Sequence, residues 1–152
     1  MGFGFTGECV IDIALRAAAL ARRAHADQVD KAGRPYIGHV ARVAARVHGD
    51  PDAEAVAWLH DVVEDCPDFA EEVAAFPAPI VAAVQCLTRR DGLTADAYYA
   101  AIRANPLALK VKLADIADNR DPARLVYLPD AVAQRLTEKY AHALHALGEG
   151  PT

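Results

Sequence analysis

Apolar residues recur at intervals of three and four along most of this chain, and this helical period constrains the fold more than any other feature. The first such segment runs from Glu8 to about Ala26, and its apolar stripe includes Ile13, Ala17 and Leu20. No segment alternates apolar and polar residues as a half-buried strand would. Alanine, a strong helix former, accounts for much of the hydrophobic fraction of 53%. The sequence therefore predicts an all-α fold.

Proline, glycine and capping residues divide the rest of the chain into further helices. Gly33 and Pro35 punctuate a polar loop before the second helix. Asp50 and Pro51 can supply the N-cap and the first-turn proline of the third. The predicted helices after the first run from about Tyr36 to Val47, Asp52 to Asp65, Pro79 to Thr88, Thr94 to Ala104, Pro106 to Asn119 and Pro129 to Leu147. Without an internal repeat or a long linker, residues 1–152 are expected to form a single domain, a helical bundle.

Charge and cysteine usage limit the partners and the compartment. A formal net charge of -5 with scattered arginines gives no field that attracts a polyanion, so we expect no polymeric nucleic acid partner. No apolar run reaches the ~18 residues of a membrane span, and no signal peptide begins the chain, so no membrane partner is expected. Cys9, Cys66 and Cys86 form no C-x-x-C pair and fit a reducing cytoplasm. The oligomeric state is left open.

The third predicted helix concentrates acidic residues near its C-terminal end. On a regular helix, its imidazole and three carboxylates would lie within about 140° of one another. These residues are His60, Asp61, Glu64 and Asp65. A solvated acidic face is the simplest interpretation, but acids at this end oppose the helix dipole and repel each other. The pattern therefore predicts a compensating cation.

Two other helices carry polar residues that suit the same cation. Lys112, Asp115 and Asn119 share one face of their helix, and His39 lies early in the second helix. Each residue alone would be ordinary surface or packing. Two imidazoles and two carboxylates from three helices, however, form a mixed nitrogen and oxygen set suited to Mn²⁺, Fe²⁺ or Zn²⁺. Such a set leaves coordination positions open for water and substrate.

Three sequence blocks carry a family resemblance. They are AHADQ at 24–28 with KAGRPYIGH at 31–39, LHDVVED at 59–65, and VKLAD at 111–115 followed by Asn119. The His60-Asp61 pair resembles the HD superfamily of metal-dependent phosphohydrolases, which has a helical fold. In order and spacing, the blocks are more closely similar to the hydrolase domain of the RelA/SpoT family, which removes the 3′-pyrophosphate from the alarmone ppGpp.

The resemblance implies a role for individual side chains and for a cofactor. It makes His39, His60, Asp61 and Asp115 the ligands of a divalent metal ion, with Mn²⁺ as the first choice and Fe²⁺ or Zn²⁺ as alternatives. Glu64 and Asp65 become the catalytic acids beside the attacking water, and Lys31 and Asn119 become substrate contacts. The expected partner is a small phosphorylated nucleotide. The synthetase half of that family has no room in 152 residues.

Departures from the family pattern leave the substrate open. Asp30 stands where these hydrolases usually carry an arginine, and Asp121 lies in the segment where they tend to read Met-Arg-Thr. We expect both acids to repel an anionic substrate and to weaken its binding. The alternatives are an HD phosphatase acting on another nucleotide or nucleotide cofactor, and a catalytically silent nucleotide-sensing module. Glu64 and Asp65 argue against the silent module, because binding alone does not need them.

Overall fold

The computed structural model describes residues 5–149, with side chains from 13 to 149, so the Cys9 side chain lies outside the described residues. The helices are α1 (Phe5–Ala24), α2 (Tyr36–Arg46), α3 (Pro51–Leu59), α4 (Val62–Asp65), α5 (Ala70–Ala74), α6 (Ala78–Leu87), α7 (Ala95–Ala104), α8 (Pro106–Asn119), α9 (Pro122–Leu125) and α10 (Asp130–Ala146). Within residues 5–149 there is no strand, only an isolated bridge between Val29 and Pro35. The all-α prediction is confirmed.

Helix α3 lies at the centre of the packing. It contacts α1, α2, α6 and α8, and all of its residues from Ala55 to Leu59 are buried. Helix α1 faces it with Ala17 and Ala21, and these small side chains let the two backbones approach closely. The C-terminal end of α3 therefore lies between α2 and α8, where the predicted ligands meet. No helix in the described part of the chain is long and apolar enough to span a membrane.

The predicted continuous helix from Asp52 to Asp65 is wrong at His60 and Asp61. Helix α3 ends at Leu59 and α4 begins at Val62, with Asp61 at φ -109° and ψ 0° between them. The His60 Nδ1 lies 2.6 Å from the Ala57 carbonyl oxygen, an acceptor that a regular helix would offer to a backbone amide four residues later. This ring-to-backbone bond ends the regular helix and turns the chain toward the site.

Helix starts follow the capping signals in the sequence. The Asp50 side chain accepts from the Ala53 amide at 3.2 Å, as predicted for the start of α3. Helix α9 has the same Asp-Pro start, with Asp121 accepting from the Ala123 amide at 2.9 Å, but it was not predicted. Four residues contain too little of the apolar period to be recognised. The short helix α5 was missed for the same reason, as was a 3-10 turn at Pro67–Phe69.

Candidate metal centre

The four predicted ligand residues converge on one point. One ligand atom from each of His39, His60, Asp61 and Asp115 lies within 4.8 Å of all the others. They come from α2, from the turn between α3 and α4, and from α8. His39 Nε2 lies 2.9 Å from an Asp115 oxygen, and both residues are buried. The structure thus brings together side chains up to 76 positions apart.

The environment of His60 fits a cation. Its Nδ1 donates to the Ala57 carbonyl oxygen, so in the neutral ring Nε2 carries the lone pair. Nε2 is buried and has no hydrogen-bond partner within the described part of the chain. It nevertheless lies 3.0 Å from an Asp61 oxygen and 3.3 Å from an Asp115 oxygen. With the ring neutral, a divalent ion among these atoms would bind the Nε2 lone pair and an oxygen of each carboxylate.

The charge around His60 leads to the same conclusion. Burial lowers the pKa of His60, but the carboxylates of Asp61 and Asp115 outweigh it, and the net pKa is well above its ordinary value. The position therefore favours a positive charge, which a proton supplies when no metal ion does. The residues present fit a divalent cation.

His39 is oriented by a buried carboxylate. Asp118 lies 2.6 Å from His39 Nδ1, which leaves Nε2 directed at Asp115. Asp118 also accepts from Arg42 at 2.8 Å and from Arg124 at 2.9 Å. Burial raises the pKa of Asp118, but the hydrogen bonds from His39 and Arg42 lower it to about 2. No role was predicted for Asp118, although its position three residues after Asp115 places both on one face of α8.

Asp61 and Asp115 are held by neutral and cationic donors. The Tyr36 hydroxyl donates to Asp61, while Lys112 and Asn119 donate to Asp115 at 3.2 and 3.1 Å. Burial and the charge of Asp61 raise the pKa of Tyr36, so the phenol stays protonated and remains a donor. Burial raises the pKa of Asp115, but Lys112 and the histidines shift it well below its ordinary value. Both acids are thus available as carboxylate ligands.

Glu64 and Asp65, predicted as one acid pair, have different surroundings. Glu64 accepts from the Arg89 amide at 2.7 Å and lines a cavity that also borders Asp61 and Asp115. Asp65 accepts from the Gln28 side chain at 3.0 Å and lines neither of the two cavities beside the centre. The Gln28 side-chain oxygen, Oε1, in turn lies 2.8 Å from His25 Nδ1. The structure places Glu64 at the cavity beside the metal centre and Asp65 on a supporting network.

Two cavities flank the metal centre and share Tyr36, Asn119 and Tyr140 in their walls. The metal-side cavity, about 170 Å³, is bordered by Asp61, Glu64, Arg89, Lys112, Asp115 and Lys139. The outer cavity, about 300 Å³, is bordered by Lys31, Arg124, Tyr127, Leu128 and Leu136. Because three residues line both, the two cavities are adjacent.

The two acids that depart from the family pattern both have basic neighbours. The Asp30 carboxylate accepts from Arg124 at 3.1 Å and from two backbone amides of the following turn at 2.9 and 3.0 Å. Asp121 caps α9, lies 3.8 Å from Arg46 and borders neither cavity. Whether the two acids repel an anionic substrate stays a prediction, and only Asp30 borders one of the two cavities. Asp30 holds Arg124 at the wall of the outer cavity, next to Lys31.

Comparison with known proteins agrees with this geometry. Residues 17–115 match the family model described as HD domain. A protein of Haemophilus influenzae is 33% identical over 146 residues, which cover 85% of this chain and 22% of that protein. One of Vibrio cholerae is 31% identical over 146 residues, covering 85% and 21%. Both are named guanosine-3′,5′-bis(diphosphate) 3′-pyrophosphohydrolase, and the chain spans about a fifth of their length. The chain belongs to the HD domain family.

Proposed function

We propose that this chain is a metal-dependent phosphohydrolase that removes the 3′-pyrophosphate from ppGpp. The observation that carries the proposal is the environment of His60. Its buried Nε2 has no hydrogen-bond partner in the described region and lies between two carboxylates. Both carboxylates border a cavity that is also lined by basic side chains. The names of the two relatives support the substrate. We further propose that residues 1–152 form one HD domain, and that free Cys66 and Cys86 fit a cytoplasmic location.

His39, His60, Asp61 and Asp115 would hold the divalent cation, with Mn²⁺ proposed ahead of Fe²⁺ or Zn²⁺. Once bound, such a cation polarises a phosphate oxygen and lowers the pKa of water. Asp118 and Ala57 fix the two imidazole rings so that each presents Nε2 to the same point.

Glu64 is the side chain best placed to handle the proton of the attacking water. Arg89 holds one of its oxygens by a backbone amide, and the carboxylate borders the cavity beside the centre. The water oxygen would bond to the phosphorus attached to the ribose, while its proton passes to Glu64. The ribose 3′-oxygen then leaves and takes up a proton, so that pyrophosphate and a 3′-hydroxyl result. Asp65 is proposed as the second acid of the pair, held by Gln28.

The outer cavity suits the nucleoside. Tyr36, Tyr127 and Tyr140 border it, and the Arg34 guanidinium lies 4.2 Å from the centre of the Tyr127 ring. Aromatic rings and arginine guanidinium groups of this kind can stack on a nucleobase. Asn119 reaches both cavities, so we propose it with Lys31 as a substrate contact.

Glu64→Gln is expected to retain Mn²⁺ affinity and to lower kcat by about 10²- to 10⁴-fold, because the amide cannot accept the proton. Calorimetric Mn²⁺ titration and steady-state kinetics measure the two effects. Glu71→Gln, an exposed change on α5, is the matched control and should leave both unchanged. A Glu64→Gln rate close to that of the unmodified protein would remove Glu64 from the proton transfer.

The substrate is tested by incubating the Mn²⁺-loaded protein with ppGpp, mononucleotides and nucleotide cofactors, and measuring pyrophosphate and phosphate separately. Pyrophosphate released from ppGpp, only with metal present, supports the proposal. A second candidate is a phosphatase of another nucleotide, favoured because Asp30 pairs with Arg124 and leaves the outer cavity with fewer free cations. Phosphate released from another nucleotide, with ppGpp intact, would favour it. Nucleotide binding without any turnover would indicate the silent sensing module.

A further inference from the structure

Several basic side chains border the metal-side cavity, which Asp61 and Asp115 also border. Arg89, Lys112 and Lys139 all border it, and Lys112 is paired with Asp115 at 3.2 Å. Neither Arg89 nor Lys139 forms an ion pair with any side chain in the range 13–149. They contact aromatic rings instead, with the Arg89 guanidinium 4.2 Å from the centre of the Tyr98 ring. Two cations thus lie beside the metal centre without an anion of their own.

The neighbouring cations influence the charge state of Lys139. Burial is the main cause that lowers the pKa of Lys139, and the charges of Arg89, Lys112 and Lys31 lower it further. An anion bound between these cations would relieve their mutual repulsion. Because the same cavity borders Glu64 and the metal centre, the anion that fits must be able to reach both.

We propose that Arg89 and Lys139 form an anion-binding subsite for the outer phosphate of the leaving pyrophosphate. The inference rests on the proposed function and deepens it, since it makes the centre selective for a diphosphate over a monophosphate. The phosphate attached to the ribose would lie at the metal centre, beside Lys112. The second phosphate, with its additional negative charge, then reaches the two cations that have no carboxylate partner.

The placement of Arg89 suits this role. Its backbone amide donates a hydrogen bond to the Glu64 carboxylate. Its guanidinium group stacks on the Tyr98 ring and lies 3.5 Å from the Tyr99 hydroxyl. These contacts fix the guanidinium plane, whose paired N–H groups match two phosphate oxygens. The neighbouring Arg90 is exposed and borders neither cavity, so it provides a control of the same charge and nearly the same position.

The subsite is tested by calorimetric titration of the Mn²⁺-loaded protein with inorganic pyrophosphate and with orthophosphate. The unmodified protein and Arg90→Gln should bind pyrophosphate at least about tenfold more tightly than orthophosphate. Arg89→Gln and Lys139→Gln should each lose about tenfold in pyrophosphate affinity and little in orthophosphate affinity. Equal affinity for the two anions in the unmodified protein, or variants that match Arg90→Gln, would overturn the proposal.

Kinetics separate this proposal from the proposed function. With ppGpp, Arg89→Gln and Lys139→Gln should raise KM about tenfold, while Arg89→Lys recovers part of the loss. Hydrolysis of ppGpp with KM unchanged in both glutamine variants refutes the subsite and leaves the function standing. A pyrophosphate preference without ppGpp hydrolysis does the reverse. Should the loss of Arg89 from its aromatic contacts prevent folding, judged by circular dichroism, Lys139→Gln carries the test alone.

Discussion

Asp61→Ala is expected to abolish detectable turnover and to weaken Mn²⁺ binding. The loss of affinity should exceed the roughly 10- to 100-fold that results when a ligand loses an outer hydrogen-bonding partner. Asp61 supplies one of the converging ligand atoms and lies 3.0 Å from His60 Nε2. Its removal also leaves the hydroxyl of half-buried Tyr36 without its acceptor. Mn²⁺ titration and the ppGpp assay measure the two losses.

Asp68→Ala provides the matched control for this variant. Asp68 is an exposed acid seven residues away, so the change removes the same charge from the same region without touching the four ligands. It should retain the affinity and rate of the unmodified protein. Asp61→Ala with unchanged Mn²⁺ affinity would show that Asp61 is not a ligand.

Asp118→Ala is expected to lower Mn²⁺ affinity by about 10- to 100-fold and the free energy of unfolding by about 2–3 kcal/mol. The first effect arises because His39 loses the carboxylate that fixes its ring. The second arises because buried His39 and half-buried Arg124 lose the carboxylate that both contact. Arg42 loses less, because its side chain is exposed and can hydrogen-bond to water. Mn²⁺ titration and urea unfolding of the metal-free protein measure the two effects.

Asp118→Asn distinguishes positioning from general stability. The amide oxygen can still accept from His39 Nδ1 but carries no charge for the arginines. This variant should lose stability while retaining more Mn²⁺ affinity than Asp118→Ala. If Asp118→Ala loses only stability and binds Mn²⁺ normally, Asp118 is structural and does not orient His39.

Much of the fold could be predicted from the sequence because its signals are local. Helix α8 begins at Pro106 and ends at Asn119, as predicted, because Asn105 caps it and its apolar period is unbroken. The four predicted ligand side chains do lie together, and their role as ligands stays a prediction. Their grouping could be anticipated because the family resemblance specifies their order and spacing, which the helical period alone does not.

The sequence could not predict features that depend on contacts between distant residues. The pair between Asp30 and Arg124 joins residues 94 positions apart and gives the acid at position 30 a cationic partner. The break at His60 depends on a single hydrogen bond from a ring to the backbone, which helix propensity does not contain. The helical period groups Glu64 with Asp65 but does not show that their partners differ, Arg89 for Glu64 and Gln28 for Asp65.

The central claim is that His39, His60, Asp61 and Asp115 form a divalent metal centre. Its most direct test is anomalous diffraction at the manganese edge from crystals of the Mn²⁺-loaded protein. One strong peak is expected about 2.0–2.3 Å from His39 Nε2, His60 Nε2 and an oxygen of each aspartate. A peak bound by other residues, or no peak at these four in protein that hydrolyses ppGpp, would contradict it.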